Sequence, residues 1–110
     1  RDYYASRGLG DVYKRQMIGL ATKAGKIASG EFMTENAVKS GMASLVIVSA
    51  EASDNTKKKF RNMCEFYHVP IKECWTKDEL GKATGKTFRA SLAVTDSGLA
   101  QAIMKKMDID

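Results

Sequence analysis

The sequence predicts a single α/β domain in which a sheet is held between layers of helix. Three observations carry that expectation. Segments of helical and strand character alternate from Met17 onward, separated by glycines and capping residues. One unbroken apolar run, Leu45–Val48, has the branched composition of a strand covered on both faces. A chain of 110 residues has room for one core and not two, and its 44% hydrophobic content is far from the signature of disorder.

The elements follow in order. Met17, Ile18, Leu20, Ala21 and Ala24 form a helix-compatible stretch that stops at Gly25, and a brief strand, Ile27-Ala28-Ser29, comes next. Gly30 opens a second helix through Phe32, Met33, Ala37 and Val38, closed by Gly41. Leu45 to Ser49 is the strand expected at the centre of the sheet. Ser53 or Asp54 then caps a third helix, with Phe60, Met63, Cys64 and Tyr67 on its apolar face and Lys57, Lys58, Lys59 and Arg61 on the other.

Pro70 leads into a short strand, Ile71 to Trp75. Thr76-Lys77-Asp78-Glu79 matches the capping box, in which hydroxyl and carboxylate satisfy each other's orphan backbone amides, and opens a short helix ending near Gly85. Phe88 to Thr95 reads as the last strand. Asp96 or Ser97 caps a final helix with Leu99, Ala100, Ile103, Met104 and Met107 on one stripe.

Residues 1–16 show no sustained periodicity, and their second half resembles translated adapter sequence, so they are set aside as a non-native or disordered tail before a domain at 17–110. They carry +2 of the formal net charge of +5. The remaining surplus permits a polyanionic partner without requiring one. No apolar run approaches the roughly 20 residues of a membrane-spanning helix, and no secretory pattern is visible, which sets a cytoplasmic expectation with no membrane partner.

Chemistry-bearing motifs are scarce. Gly81-Lys82-Ala83-Thr84-Gly85-Lys86-Thr87 ends like a phosphate-binding loop, but a true one has four residues between its glycines and stands between a strand and a helix; here the spacing is short and the order inverted. Cys64, Cys74 and His68 have no metal-ligand spacing, and the cysteines read as reduced thiols. No nucleophile elbow or distinctive carboxylate pair is present, so the expectation is a non-enzyme without cofactor or metal. What remains is basic and glycine residues at two junctions: Lys23, Lys26 and Gly30 around the start of the second helix, and Lys82, Gly85, Lys86 and Arg89 ahead of the last strand. At one end of a sandwich these would offer helix amides, close backbone approach and cations to phosphates.

Leu80-Gly81-Lys82-Ala83-Thr84-Gly85, the strand Ala90-Ser91-Leu92-Ala93-Val94 and the run Leu45 to Ser53 resemble the kink-turn-binding ribosomal protein family (L-seven-Ae/L-thirty-e). Gly19 to Glu31 is similar to its bacterial YlxQ-like branch. The resemblance spans Met17 to Met107 and implies a three-layer α/β/α sandwich with a four-stranded mixed sheet. It also implies an RNA-binding, ribosome- or translation-associated protein that recognises structured RNA of kink-turn type. Contacts would come from the segment opening the second helix and from the loop before the last strand: Lys26, Gly30, Glu31, Phe32, Met33, Asn36, Lys82, Lys86, Thr87 and Phe88.

Aligned on Gly30, the family's Asn and Glu positions fall on Phe32 and Met33, its Lys position on Asn36, and Lys86-Thr87-Phe88 occupies its apolar loop. Phe and Met cannot make paired polar contacts to base edges. Two readings follow: a structured-RNA binder with kink-turn or variant preference, alongside a possible ribosomal or translation-factor protein partner; or a protein-interaction module on the same scaffold that has lost kink-turn recognition, with Phe32 and Met33 as apolar anchors.

Overall fold

Almost every apolar stripe in the chain packs onto one of two faces of a four-stranded sheet. The computed structural model describes residues 15–86 and 88–109, the last four as backbone only. Its elements are α1 (15–23), β1 (Ile27–Ser29), α2 (Glu31–Lys39), β2 (Leu45–Val48), α3 (Asp54–Tyr67), β3 (Ile71–Glu73), α4 (Lys77–Ala83), β4 (Ser91–Val94) and α5 (Ser97–Ile109). The sheet order is β1-β4-β2-β3. β4 runs antiparallel to β1 and β2, while β2 and β3 are parallel, which makes the sheet mixed.

β2 and β4 share the centre, and every residue of both is buried. Side chains alternate along a strand, so Leu45, Ile47, Leu92 and Val94 meet Ile18 of α1, Leu80 of α4 and Ile103 of α5. Val46, Val48 and Ala93 meet Val38 of α2 and Phe60 and Cys64 of α3. The result is the expected three-layer sandwich. Cys74 packs with the first cluster and Cys64 lies in the second, so the sheet stands between the two cysteines.

Burial pushes the Cys64 thiol up to about 11. A thiol held neutral by folding supports stability below its unfolded pKa, near 9, and that support is lost as pH rises through about 11. Iodoacetamide at pH 8 is therefore expected to leave Cys64 unmodified in the native protein and to alkylate it in denaturant, which peptide mass mapping would distinguish.

The caps are those the side chains dictate. Ser53 Oγ accepts from the Thr56 amide at 3.2 Å, and Asp96 Oδ1 accepts from Leu99 at 2.9 Å. In the capping box, Thr76 Oγ1 accepts from Glu79 N–H at 3.0 Å while Glu79 Oε1 accepts from Thr76 N–H at 2.9 Å. Thr76→Ala should cost about 1 kcal/mol, read as a lower urea midpoint at unchanged slope.

Several boundaries differ from the sequence reading. α1 takes in Arg15 and Gln16, which that reading placed in the tail, and Arg15 Nη1 reaches Glu79 Oε2 at 2.7 Å; residues 1–14 lie outside the described residues. β3 stops at Glu73 because Trp75 adopts φ +66° and turns the chain, its carbonyl accepting from Ser49 Oγ at 3.0 Å. β4 starts at Ser91 and not at Phe88, because Arg89 N–H donates to Lys77 O at 3.1 Å and ties the preceding loop to α4. Tyr67 is not core: at the end of α3 it stands edge-on to the exposed Phe66, with ring centroids 5.0 Å apart. The Met107 side chain lies outside the described residues.

Candidate nucleic-acid interface

The strand directions bring the C-terminal ends of β1, β2 and β3 and the N-terminal end of β4 to one end of the sheet. α2, α3 and α4 each follow one of those strands within a few residues, so their N-termini, with their outward amides and positive dipole ends, gather there.

The junction of α2 with the β4 loop is the most specific part of this end. Gly30 caps α2 at φ +92° and ψ +159°, a conformation essentially reserved for glycine, and no side chain caps the helix. Its amide donates to Ser91 O at 2.9 Å, fixing it against the start of β4. A Cβ on Gly30 would lie 3.8 Å from Arg89 Nε, so the guanidinium stem passes directly over the glycine. Arg89 Nε reaches Ser29 Oγ at 3.5 Å and Nη1 donates to Phe88 O at 2.8 Å. The side chains of Arg89 and Ser29 are thus brought together across the β1–α2 turn. Ser91 Oγ is buried and has no hydrogen-bond partner among the described residues.

Three acids near this end, Glu31, Glu35 and Glu51, are already engaged. Lys59 Nζ of α3 bridges Glu31 Oε2 at 2.9 Å and Glu35 Oε2 at 2.8 Å. The hydrogen bond from Lys59 holds the Glu35 carboxyl below the usual carboxylate range, and Glu35 and Glu31 in turn raise the Lys59 ammonium above its ordinary value. Glu51 Oε1 accepts from the Lys77 amide at 2.9 Å. Arg89, by contrast, contacts only neutral oxygens among the described residues.

Each of the two segments that meet at this junction carries an exposed aromatic ring. Phe32 in the first turn of α2 is 74% exposed and Phe88 beside Arg89 is 57% exposed, too open for a core role. Lys77 Nζ stands 5.9 Å from the Phe88 ring centroid. The end therefore combines stacking surfaces, a guanidinium and helix amides, a set suited to unstacked bases and a phosphate backbone.

The structure brings only part of the sequence-derived set together. Gly30, Glu31 and Phe32 open α2 beside Phe88 and Arg89, and Lys86 lies exposed on the same loop, its amide donating to Gly81 O at 2.7 Å. Thr87 lies outside the described residues. Lys26 belongs at the other end: it precedes β1, and its carbonyl pairs with Thr95, beyond the far end of β4. Lys82 sits in the last turn of α4, paired with Asp78 at 3.2 Å, in a groove facing α1. Met33 and Asn36 line a second groove beside β1. Sequence reasoning missed Lys77, which it treated only as part of a cap, and Ser91, whose signal was a polar residue inside an apolar strand.

Among the described residues no cluster of His, Cys, Asp and Glu has the makings of a metal site, and no helix is long and apolar enough to cross a membrane.

Comparison with known proteins identifies relatives of this chain and of its fold. The model of the ribosomal protein L7Ae/L30e/S12e/Gadd45 family matches residues 14–104. The RNA-binding protein YlxQ of Bacillus subtilis is 37% identical over 92 residues, covering 84% of this chain and 92% of that protein. The large ribosomal subunit protein eL30 of Methanosarcina mazei is 34% identical, over 71% of this chain and 74% of that one. Among solved structures, a protein of unknown function from Bacillus halodurans C superposes with a TM-score of 0.83 at 34% identity, covering 86% of this chain and 96% of the other. The Giardia lamblia 15.5kD RNA binding protein shares the fold, with a TM-score of 0.75 at 20% identity over 92% of this chain and 90% of its own.

Proposed function

The chain belongs to the ribosomal protein L7Ae/L30e/S12e/Gadd45 family, and on that premise we propose that the α2–β4 end binds structured RNA without catalysing a reaction. The observation that carries this reading is Arg89, laid over Gly30 at an α2 N-terminus with no side-chain cap while the neighbouring carboxylates are held by Lys59 and by the Lys77 amide. Guanidinium and helix amides hold a bent phosphate backbone, and glycine permits its approach. Phe32 and Phe88 cover bases that the bend unstacks.

Because Phe32 and Met33 offer no polar atoms to base edges, recognition rests on backbone shape and stacking. The target is a kink-turn or a variant of it, within ribosomal or translation-associated RNA in the cytoplasm. Names of the relatives support this reading: YlxQ is described as RNA-binding and eL30 as a ribosomal protein.

The test is a titration of the full chain with a kink-turn RNA, an unrelated structured RNA and a simple polyanion across a range of salt. Tighter binding to the kink-turn RNA is expected. Lys86→Ala should weaken all three partners by a similar few-fold factor, and Phe88→Ala should act mainly on the structured RNAs. Equal, weak and salt-erased binding to all three would overturn the reading.

A further inference from the structure

At the edge of the sheet, away from Arg89, β1 and α2 enclose a groove with a different chemistry. Among the described residues, β1 is a terminal strand bonded only to β4. Thr95 N–H donates to Lys26 O at 2.8 Å and Gly30 N–H to Ser91 O at 2.9 Å, so Lys26, Ala28 and Gly30 turn their backbone groups toward β4. In an antiparallel pair the intervening residues point theirs the other way. The amides and carbonyls of Ile27 and Ser29 therefore face outward from the sheet.

Beside them lies a groove of about 570 Å³, in which Ala28 and Ala37 line the wall where larger side chains would fill it. Met33 and Met42, 52% and 62% exposed, also line it. Its lining includes Lys39, which also reaches Glu35 at 3.6 Å, and no carboxylate, and Lys23, the last residue of α1, and Lys26, just before β1, are exposed.

We propose that this groove is a docking site for an extended acidic segment of a protein partner, added as a strand to β1. Outward main-chain donors and acceptors pair with a peptide backbone, not with a nucleic acid. Thioethers adapt to an apolar side chain projected into the groove, and the lysines supply the charge complementarity. The same lysines disfavour a second copy as occupant, since an edge-to-edge dimer would bring like charges together.

The test is nuclear magnetic resonance of the full chain with two ten-residue probes, one alternating valine and glutamate and the other alternating valine and lysine. The acidic probe is expected to shift the Ile27, Ser29 and Met42 amides and to slow hydrogen exchange at Ile27 and Ser29, while the basic probe leaves them unmoved. The double variant Lys23→Glu/Lys26→Glu should weaken the acidic probe about ten-fold, and Met42→Ala, at an exposed position that leaves folding intact, should weaken it a few-fold. Equal responses to the two probes, shifts confined to the Phe32–Arg89 end, or undiminished binding by the double variant would overturn the proposal.

Discussion

Arg89→Ala is expected to weaken binding of structured RNA about ten-fold or more, a loss of ~1.4 kcal/mol or greater, while the thermal midpoint stays close to that of the parent. The reason is geometric. Arg89 crosses Gly30 and makes only long or neutral contacts among the described residues, so its removal frees no buried charge there. Binding measured at several salt concentrations should show a slope smaller by about one, the signature of a lost phosphate contact. Arg89→Lys should recover only part of the affinity, because an ammonium keeps the charge but not the planar fork. Full affinity in Arg89→Ala would place the phosphate contacts elsewhere.

Phe60→Ala is expected to have the largest effect on stability, about 3–5 kcal/mol, a substantial share of the 5–15 kcal/mol typical of small domains. Phe60 is fully buried among Val38, Val46, Val48 and Cys64, where the sheet and two helices meet. Phe66, six residues further along the same helix, provides the control: it is 76% exposed, and Phe66→Ala should change stability by no more than about 0.5 kcal/mol. Urea denaturation of both variants checks the pair. Lys59 adjoins Phe60 and carries the bridge to Glu31 and Glu35, so loosening α3 should also loosen the start of α2.

Local features were legible in the sequence wherever a short-range rule decided them. The branched run Leu45–Val48 lies buried on both faces, Thr76 and Glu79 form their reciprocal cap, and the glycine at position 30 stands where a helix begins in a conformation other residues avoid. Three-dimensional placement was less legible. Lys26 and Gly30 are close in sequence, yet an intervening strand of three residues carries them to opposite ends of the sheet. Lys82 and Arg89 flank one loop, but α4 leads away from the strand-exit end before the chain returns to it. Glu31 is neutralised by a lysine 28 positions away, a pairing that no local pattern announces. Trp75 turns the chain at φ +66° without the glycine that ordinarily marks such a turn.

The sheet order also sets a timetable. β2 and β3 are joined through α3 and can pair once that crossover unit has left the ribosome, but among the described residues β1 pairs only with β4, which is made near the end of the chain. Leu92, Ala93 and Val94 contribute to both apolar clusters, so neither face of the sheet is complete before they arrive. Closing that long loop early brings an entropic cost with few contacts to offset it. The nascent chain thus carries α1, β1 and α2 as unfinished surface through most of its synthesis, and the two sides of the α2–β4 interface come into being together with the last strand.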